Sequence, residues 1–335
     1  MFETAENKQK VIVMVGLQGS GKSAKAQKLG TDGNYIIISS DDIRVELHND
    51  GVSFTNETVF NTYYERFRNA LKEGRNVILD ATNTTLKARR CVFENVKRTH
   101  VQRKSLRIVA YIVNTTLEDC VKRLASRQRE SFLDADDWTP VLDKYQKSFQ
   151  IPMFYEGFDE IVLDNAPENL TYDVSFCNEL IKKMSDFDQK NPHHIHSLYV
   201  HSKNLAYSYA KDFISNRIQY KDWIILSSAA LWHDVGKLFT QTFDEEGVAH
   251  YYGHDGVGTY YVLSHPELFG GANTNSFLES LFYINFHMKA HRDFKNPKAE
   301  AKYRALFGDE RYDSLIQFAT YDKIASGTYK FEVNK

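Results

Sequence analysis

Eight residues near the start of the chain have the types and spacing of a phosphate-binding loop. They read GLQGSGKS from Gly16 to Ser23 and follow the apolar run Val11–Val15. Glycines let backbone N–H groups curl around a phosphate, and the start of the next helix adds partial positive charge. Lys22 would reach the β- and γ-phosphates of a nucleotide, and the Ser23 hydroxyl would bind Mg²⁺. The residues predicted to hold an NTP are Gly16, Gly19, Ser20, Gly21, Lys22 and Ser23.

Two further polar clusters each follow an apolar run that resembles a strand. SSDDIR contains Asp41 and Arg44, and DATNTT contains Asp80, Thr82 and Asn83. Polar groups at the carboxyl ends of strands lie where open α/β sheets bind substrates. Asp41 could accept the proton of an attacking hydroxyl, and Arg44 could hold an acceptor phosphate. The alternative interpretation is that both clusters only cap the helices that follow them.

Arginines end the predicted helix Leu117–Arg129 and enter a polar stretch that runs to Asp137. Arg123 and Arg127 are four residues apart and share a helix face. Such arginines over a P-loop could stabilise charge on a transferring phosphoryl group. Surface arginines favoured by the helix dipole are the alternative.

The second half of the chain holds histidines and aspartates that could bind metal. Ten of the twelve histidines lie beyond residue 190. The adjacent pair His233 and Asp234 ends an apolar helix, with His201 before it and Asp322 after it. Histidine and carboxylate ligands from separate helices suit a borderline or hard divalent cation. A single histidine on a helix is usually structural, so the prediction depends on the set.

Further groups could extend this site. His254 and His287 could hold a second metal or a substrate phosphate, and His291 shares a helix face with His287. Two adjacent cations would orient a water and lower its pKa for attack on phosphorus. Lys237, three residues after Asp234, could bind a phosphate oxygen.

These residues require two kinds of scaffold. Up to about Asp164, β-branched runs alternate with helical stretches, which predicts a parallel sheet with helices on both faces. The predicted strands are Val11–Val15, Tyr35–Ile38, Val77–Leu79, Leu106–Val113 and Glu160–Leu163. Beyond Asp164–Leu170 the strands vanish and helical patterns take over. We therefore predict an α/β domain at 1–166 and an all-α domain at 167–335.

Composition narrows the function classes. A formal charge of −2 over 335 residues gives no global nucleic-acid signal, so a polynucleotide would have to be bound locally. One candidate is the basic run from Lys97 to Arg107, although a solvated helix end explains it equally well. Three scattered cysteines form no disulfide framework, and no segment approaches the ~20 apolar residues of a membrane span. These features favour a cytoplasmic protein that has no membrane partner.

The first group of motifs resembles the polynucleotide 5′-kinases of bacteriophages and bacterial RNA-repair proteins. GLQGSGKS, SSDDIR, DATNTT and the spaced arginines carry the resemblance, over roughly Val11–Leu163. It implies a P-loop kinase that uses ATP, or another NTP, with Mg²⁺. The implied site residues are the base Asp41, the phosphate-binding Arg44, the acceptor residues Asp80, Thr82 and Asn83, and the lid arginines Arg123 and Arg127.

The second group resembles the HD superfamily of phosphohydrolases. The run HDVGKLFTQTFDEEGVAHYYGHDGVG, which begins at His233, is similar to the HD domain attached to bacterial CCA-adding enzymes. The resemblance covers about Asn191–Tyr329 and implies a divalent metal of the Mg, Mn, Ni, Co or Fe class. The implied residues are the ligands His201, His233, Asp234 and Asp322, the second-site residues His254 and His287, and Asp234 and Lys237 in catalysis.

Together the two resemblances imply a bifunctional enzyme that heals RNA ends. The kinase would phosphorylate a 5′-hydroxyl, and the HD domain would remove a 2′,3′-cyclic, 2′- or 3′-phosphate. RNA ends are favoured over DNA ends, and a separate ligase is expected because the chain has no KxDG motif. The alternative is a small-molecule P-loop kinase fused to an HD nucleotide phosphohydrolase. A homo-oligomer is compatible with the sequence, which leaves the oligomeric state open.

Overall fold

The computed structural model describes residues 8–126, 137–164, 172–192, 195–269, 274–292 and 296–327. The chain forms two compact units, the first from Met1–Tyr145 with Pro152–Asn165 and the second from Gln146–Ile151 with Ala166–Lys335. The sequence-based division placed Gln146–Ile151 in the first domain, whereas in the structure this segment packs with the second unit. Within the described residues, no helix has the length and apolar character needed to span a bilayer.

The first unit is built on a five-stranded sheet in which every paired neighbour is parallel. The strand order is β2-β3-β1-β4-β5. The strands are β1 (Gln9–Val15), β2 (Tyr35–Ser39), β3 (Asn76–Asp80), β4 (Leu106–Ile112) and β5 (Glu160–Leu163). The predicted parallel sheet is confirmed, and each strand end lies within two residues of its predicted place. The apolar, β-branched character of these strands matches their burial in the core.

Six α-helices lie within the described residues of this unit or, for the last of them, cross its boundary. They are α1 (Lys22–Gly33), α2 (Ser40–Asn49), α3 (Asn56–Lys72), α4 (Leu86–Lys97), α5 (Leu117–Ser126) and α6 (Thr139–Lys147). Ser39 and Thr85 cap α2 and α4, since their side chains accept hydrogen bonds from the N–H groups of Asp42 and Ala88. The capping interpretation of the two polar clusters therefore holds for these two residues. The sequence analysis did not predict α6.

The carboxyl ends of three strands are joined closely at one edge of the sheet. Ser39 pairs with Asp80 in the β2–β3 register, and the N–H of Gly16 donates to the carbonyl of Thr82 at 3.0 Å. Parallel strands place all their carboxyl ends at the same edge. The three polar motifs of the first unit therefore converge there.

A buried ion pair between Arg89 and Glu156 lies beside the loop that follows β3. Arg89 of α4 is fully buried and forms a bidentate pair with Glu156, with both N···O distances 2.8 Å. A third bond from Arg89 reaches the carbonyl of Asn83 at 3.0 Å. Glu156 in turn accepts a hydrogen bond from the N–H of Met153 at 3.0 Å. Full hydrogen bonding of both charges compensates for their removal from water.

The basic run predicted as a possible nucleic-acid contact is partly neutralised within the fold. Arg103 pairs with Asp159 at 2.8 Å, and Arg107 pairs with Glu160 at 2.6 Å. These partners precede or begin β5, which lies beside β4. Two of the five basic side chains of the run are therefore paired with carboxylates beside the sheet.

The second unit is helical, as predicted, apart from one small hairpin. Its helices are α7 (Val174–Asp186), α8 (Leu198–Ile214), α9 (Tyr220–Trp232), α10 (Lys237–Thr240), α11 (His254–Ser264), α12 (Thr274–Arg292), α13 (Pro297–Phe307) and α14 (Asp309–Ala325). The expectation that strands vanish after the connection is wrong, because β6 (Thr242–Phe243) and β7 (Ala249–His250) pair antiparallel. Strands of two residues are too short to produce a periodic pattern.

The segment Gln146–Ile151 is anchored in the second unit by the side chain of Asn285. The N–H of Ile151 donates to the Asn285 Oδ1 at 2.9 Å, and the Asn285 Nδ2 donates to the carbonyl of Phe149 at 2.9 Å. The ring of Phe149 is fully buried and packs edge-on against Tyr260, 5.2 Å between centroids. One amide side chain thus satisfies both a donor and an acceptor of this segment.

Replacement of Arg89 by Met should destabilise the folded chain by about 3–5 kcal/mol, because Glu156 would keep a buried, uncompensated charge. Urea unfolding followed by circular dichroism measures this loss. The matched control is Arg90→Met, since the Arg90–Glu94 pair on the same helix is exposed and contributes little. Equal stability of the two variants would contradict this account of the buried pair.

Candidate functional site

A cavity of about 600 Å³ opens at the carboxyl edge of the first unit's sheet. Its walls include Lys22 and Ser23 of the loop, Asp41 and Arg44 of α2, and Asp80 at the end of β3. Of the predicted nucleotide residues, Gly19 and Gly21 also line it, whereas Gly16 and Ser20 do not. The residues that the three motifs contribute therefore meet in one space.

The glycines of the loop are required by its conformation. Gly19 has φ +78°, and a Cβ there would lie 2.6 Å from the carbonyl oxygen of Cys120. Gly21 has φ +98° and occupies the position before the first turn of α1. The Nζ of Lys22 donates to the carbonyl of Leu17 at 2.7 Å, which holds the ammonium inside the loop. Positive φ values and close packing together exclude larger residues.

Asp80 lies on the nucleotide side of the cavity. Burial raises the pKa of its carboxyl, and the hydrogen bond from Ser23 and the charge of Lys22 partly oppose this rise. A loop serine beside a strand-end aspartate is the pair that holds Mg²⁺ in P-loop NTPases. The residues present therefore fit Mg²⁺, and this geometry favours that role for Asp80 over the predicted contact with the acceptor.

Asp41 and Arg44 of α2 also line the cavity. The Nη1 of Arg44 donates to Asp41 Oδ1 at 3.0 Å, and its Nη2 donates to Asn56 Oδ1 at 3.0 Å. The Asp41 side chain keeps 43% of its surface exposed, so a hydroxyl can approach it. Asn56 also lines the cavity, and sequence reasoning missed it because it stands alone at a helix start.

Thr82 lines the cavity as predicted, but Asn83 does not. Asn83 has φ +46° and is almost fully buried. Its Nδ2 donates to the carbonyl of Met14 at 2.8 Å, which ties the loop after β3 to β1. In this structure Asn83 therefore holds the backbone and is not exposed to the cavity, where Thr82 is the residue of this motif that could meet an acceptor.

Arg123 reaches the cavity from α5. Its Nη1 donates to the carbonyl of Ser20 at 2.8 Å, and the Thr115 hydroxyl donates to the same oxygen at 2.7 Å. Arg123 therefore braces the loop as well as presenting charge to the cavity. Arg127, predicted to act with it, lies outside the described residues.

In the second unit, four histidines converge on one carboxylate. The Asp234 Oδ2 lies 3.3 Å from the Nε2 of His201 and 3.2 Å from that of His233. Its Oδ1 lies 3.2 Å from the Nε2 of His254 and 3.7 Å from that of His287. The two oxygens of Asp234 thus face two separate pairs of imidazoles.

The second pair has a geometry that neutral side chains alone do not satisfy. The Nδ1 of His254 donates to the carbonyl of Tyr251 at 2.7 Å, and that of His287 donates to the carbonyl of Ile284 at 2.8 Å. Each neutral ring then presents a lone pair at Nε2, and the two Nε2 atoms are only 3.2 Å apart. A proton or a cation must lie between them, so the donor chemistry fits a metal ion.

Asp322 completes the first pair. Its Oδ1 lies 2.8 Å from the Nε2 of His201 and 3.4 Å from that of His233. Its Oδ2 accepts a hydrogen bond from His291 at 2.8 Å, so His291 orients a ligand rather than joining the second pair. The predicted set His201, His233, Asp234 and Asp322 is therefore brought together by α8, α14 and the end of α9.

Lys237 is held against the same carboxylate. Its Nζ lies 2.7 Å from Asp234 Oδ2 and donates to the Gln189 Oε1 at 3.0 Å. The ring of Tyr251 lies 5.4 Å from that nitrogen, and its hydroxyl donates to the Gln189 carbonyl. Sequence reasoning missed Gln189 because no motif marks the segment before α8.

Electrostatics in this cluster are strongly coupled. Burial lowers the pKa of His233, but the carboxylates of Asp234 and Asp322 outweigh it and raise that pKa to about 10. Burial raises the pKa of Asp234, but His233 and Lys237 outweigh it and hold that pKa well below its usual value. For His287, burial lowers the pKa. Ionised carboxylates and a close positive charge stabilise each other here, which is the electrostatic setting of a cation site.

The family comparison covers most of the first unit together with the segment Gln146–Ile151. Residues 11–152, less than half of the chain, match a family model described as an AAA domain. No curated protein matches the chain. The match and the sheet topology make the first unit a P-loop, kinase-like α/β domain.

Similar solved structures share low identity with the chain. A chain of the "Pnkp1/Rnl/Hen1 complex" is 24% identical over 41% of this chain and 46% of its own length, with a TM-score of 0.30. A chain of the "Pnkp1/Rnl/Hen1 RNA repair complex" is 21% identical over 52% of this chain and 56% of its own length, with a TM-score of 0.32. A gluconokinase from Sinorhizobium meliloti is 16% identical over 48% of this chain and 85% of its own, with a TM-score of 0.32. With TM-scores this low, none of these similarities bears on the substrate.

The histidine and aspartate cluster should bind two divalent ions per chain, one on each side of Asp234. We expect His287→Ala to lose one of them, because only one imidazole pair is broken, and Asp234→Asn to lose both. Metal analysis of the full-length protein after equilibration with Mn²⁺ measures this stoichiometry. His48→Ala, an exposed histidine of the first unit, should keep both ions. A folded wild-type protein that retains no Mn²⁺ would refute the site.

Proposed function

We propose that the first unit transfers the γ-phosphoryl group of ATP to the 5′-hydroxyl of a polynucleotide, with RNA ends as the substrate. The observation that carries this proposal is that Lys22 and Asp41 line the same cavity. Lys22 is suited to the phosphates of the donor, and the exposed carboxylate of Asp41 is suited to the acceptor hydroxyl. The γ-phosphoryl group of the donor and the hydroxyl of the acceptor would then meet in this cavity.

Each group of cavity residues has a distinct part in this transfer. The loop N–H groups and Lys22 would bind the donor phosphates, and Mg²⁺ held by Ser23 and Asp80 would neutralise charge on them. Asp41 would accept the proton from the hydroxyl as the bond to phosphorus forms. Arg44, already fixed by Asp41 and Asn56, would hold the phosphate that follows the acceptor nucleoside.

We further propose that the second unit is a metal-dependent phosphohydrolase of the HD type. The facing imidazole pairs around Asp234 support this proposal, because a bridging carboxylate suits a two-metal site. When bound, the metals would supply an activated water. Lys237, held between Asp234 and Gln189, would bind a non-bridging phosphate oxygen. The substrate would be a 2′,3′-cyclic, 2′- or 3′-phosphate at the other RNA end.

The two activities would serve one purpose. Many ribonucleases leave a 5′-hydroxyl and a 2′,3′-cyclic phosphate, and neither end can be ligated directly. A separate ligase would then join the healed ends. The alternative is a small-molecule kinase joined to a nucleotide phosphohydrolase. It would use the same cavity residues, but its acceptor would be a small molecule and not an RNA end.

A short RNA with a 5′-hydroxyl and a 2′,3′-cyclic phosphate tests both activities in one reaction with ATP, Mg²⁺ and Mn²⁺. Wild-type protein should convert both ends. We expect Lys22→Ala to slow the 5′ step by roughly 10²–10³-fold and to leave the 3′ step intact. Asp234→Ala should do the reverse, so each variant controls for the folding of the other unit. An unchanged RNA, with ATP spent on a small acceptor instead, would overturn the polynucleotide assignment.

The general-base role of Asp41 has its own test. Asp41→Asn should lower kcat for 5′ phosphorylation by about 10²–10⁴-fold, because the amide cannot accept the hydroxyl proton. ATP affinity, measured by calorimetry, should stay near that of the wild type, since Asp41 is proposed to contact the acceptor and not the nucleotide. The adjacent exposed Asp42→Asn is the matched control. A kcat equal to that of the wild type would exclude Asp41 as the base.

A further inference from the structure

Three aromatic side chains line the cavity of the first unit, and nothing in the phosphoryl transfer requires them. Phe60 belongs to α3, Trp138 immediately precedes α6, and Tyr145 lies within α6. All three are partly accessible rather than buried. Large rings usually bury their surface in a core or keep it for a ligand. Their presence on the wall of a cavity of about 600 Å³ therefore suggests that the ligand has a planar group that stacks on them.

Phe60 lies on the acceptor side of the cavity. It follows Asn56 by four residues on α3, so the two side chains share a face of the helix. Asn56 accepts a hydrogen bond from Arg44, which also binds Asp41. A group held beside Phe60 is therefore near Arg44 and Asp41, the residues suited to the acceptor.

The ring of Phe60 is held in place by two others. Its centroid lies 5.6 Å from that of Tyr63 and 6.2 Å from that of Tyr64. Tyr63 is almost fully buried. Packing of this kind fixes the rotamer of Phe60, so little conformational entropy is lost when a ligand stacks on it.

Helix α6 contributes the other two rings from one face. Trp138 and Tyr145 are seven residues apart, which is close to two helical turns. The N–H of Leu142 donates to the carbonyl of Trp138 at 2.9 Å, so the helical geometry extends back to the tryptophan. Both rings can therefore face the cavity together.

We propose that Phe60, Trp138 and Tyr145 form a stacking wall for the nucleobase of the acceptor's terminal nucleotide. This inference rests on the proposed polynucleotide kinase activity and adds the part of the acceptor that the enzyme recognises. Stacking on aromatic rings tolerates every base, because each has a π-face. The kinase therefore selects nucleic-acid ends by the presence of a base and not by its identity.

The stacking wall should bind the two classes of acceptor differently. A sugar acid or polyol offers hydroxyl groups but no flat π-face, so it cannot stack on these rings as a base can. A terminal nucleotide offers a base to the rings, a phosphate to Arg44 and a hydroxyl to Asp41. Only the nucleotide engages all of these groups at once.

The test compares oligonucleotides with a 5′-hydroxyl whose terminal nucleotide carries adenine, uracil or no base. For the wild type, kcat/KM should fall about tenfold or more for the abasic end, as loss of one stacked base implies. Adenine and uracil ends should agree within about threefold, because stacking tolerates either base. Phe60→Leu and Trp138→Leu should lose more activity on base-bearing ends than on abasic ends. In each variant, the ratio of kcat/KM for base-bearing ends to kcat/KM for abasic ends should therefore be smaller than in the wild type.

Phe154→Leu is the matched control, since Phe154 is exposed in the same unit and does not line the cavity. It should keep the wild-type ratio, and circular dichroism and ATP binding establish that each variant is folded. Equal kcat/KM for abasic and base-bearing ends would overturn the stacking wall and leave the kinase proposal standing. Failure to phosphorylate any oligonucleotide while ATP is consumed would overturn the kinase proposal and the wall with it.

Discussion

Removing a charge from water is costly unless an opposite charge or a hydrogen-bond donor meets it at close range, and both units of this protein are organised around that constraint. In the first unit, Asp80 is buried beside Ser23 and Lys22, and burial raises the pKa of its carboxyl. In the second, Asp234 is buried among four imidazoles and Lys237. Neither arrangement would persist in a core that was only apolar. Each becomes fully compensated when a cation is bound, so the same forces that fold the site also define what it binds.

The sequence was most informative where a local pattern had a direct physical cause. The β-branched runs predicted all five strands of the sheet, and GLQGSGKS predicted the loop because positive φ values need glycine. The histidine and aspartate set was predictable because few other patterns put these residue types on successive helices. Their convergence on Asp234 follows from the packing of distant helices, which no local pattern encodes.

The misses have equally physical origins. Asn83 has the composition of a substrate contact, but its left-handed backbone and its bond to Met14 make it a structural tie. Asn56, Gln189 and the rings of α6 contribute through tertiary placement alone. The hairpin of β6 and β7 was missed because two-residue strands leave no alternation to detect. Pairing of Arg103 and Arg107 with acids near β5 neutralised charges that looked available in the sequence.

The packing of Gln146–Ile151 in the second unit affects where the chain can be divided between its two units. Asn285 satisfies the main chain of this segment at both Ile151 and Phe149, although β5 of the first unit follows later in the chain. A recombination event that joined or exchanged the halves at residue 166 would leave Asn285 without either bond. A boundary drawn at residue 166 alone therefore separates the helical unit from a segment that belongs to its own packing.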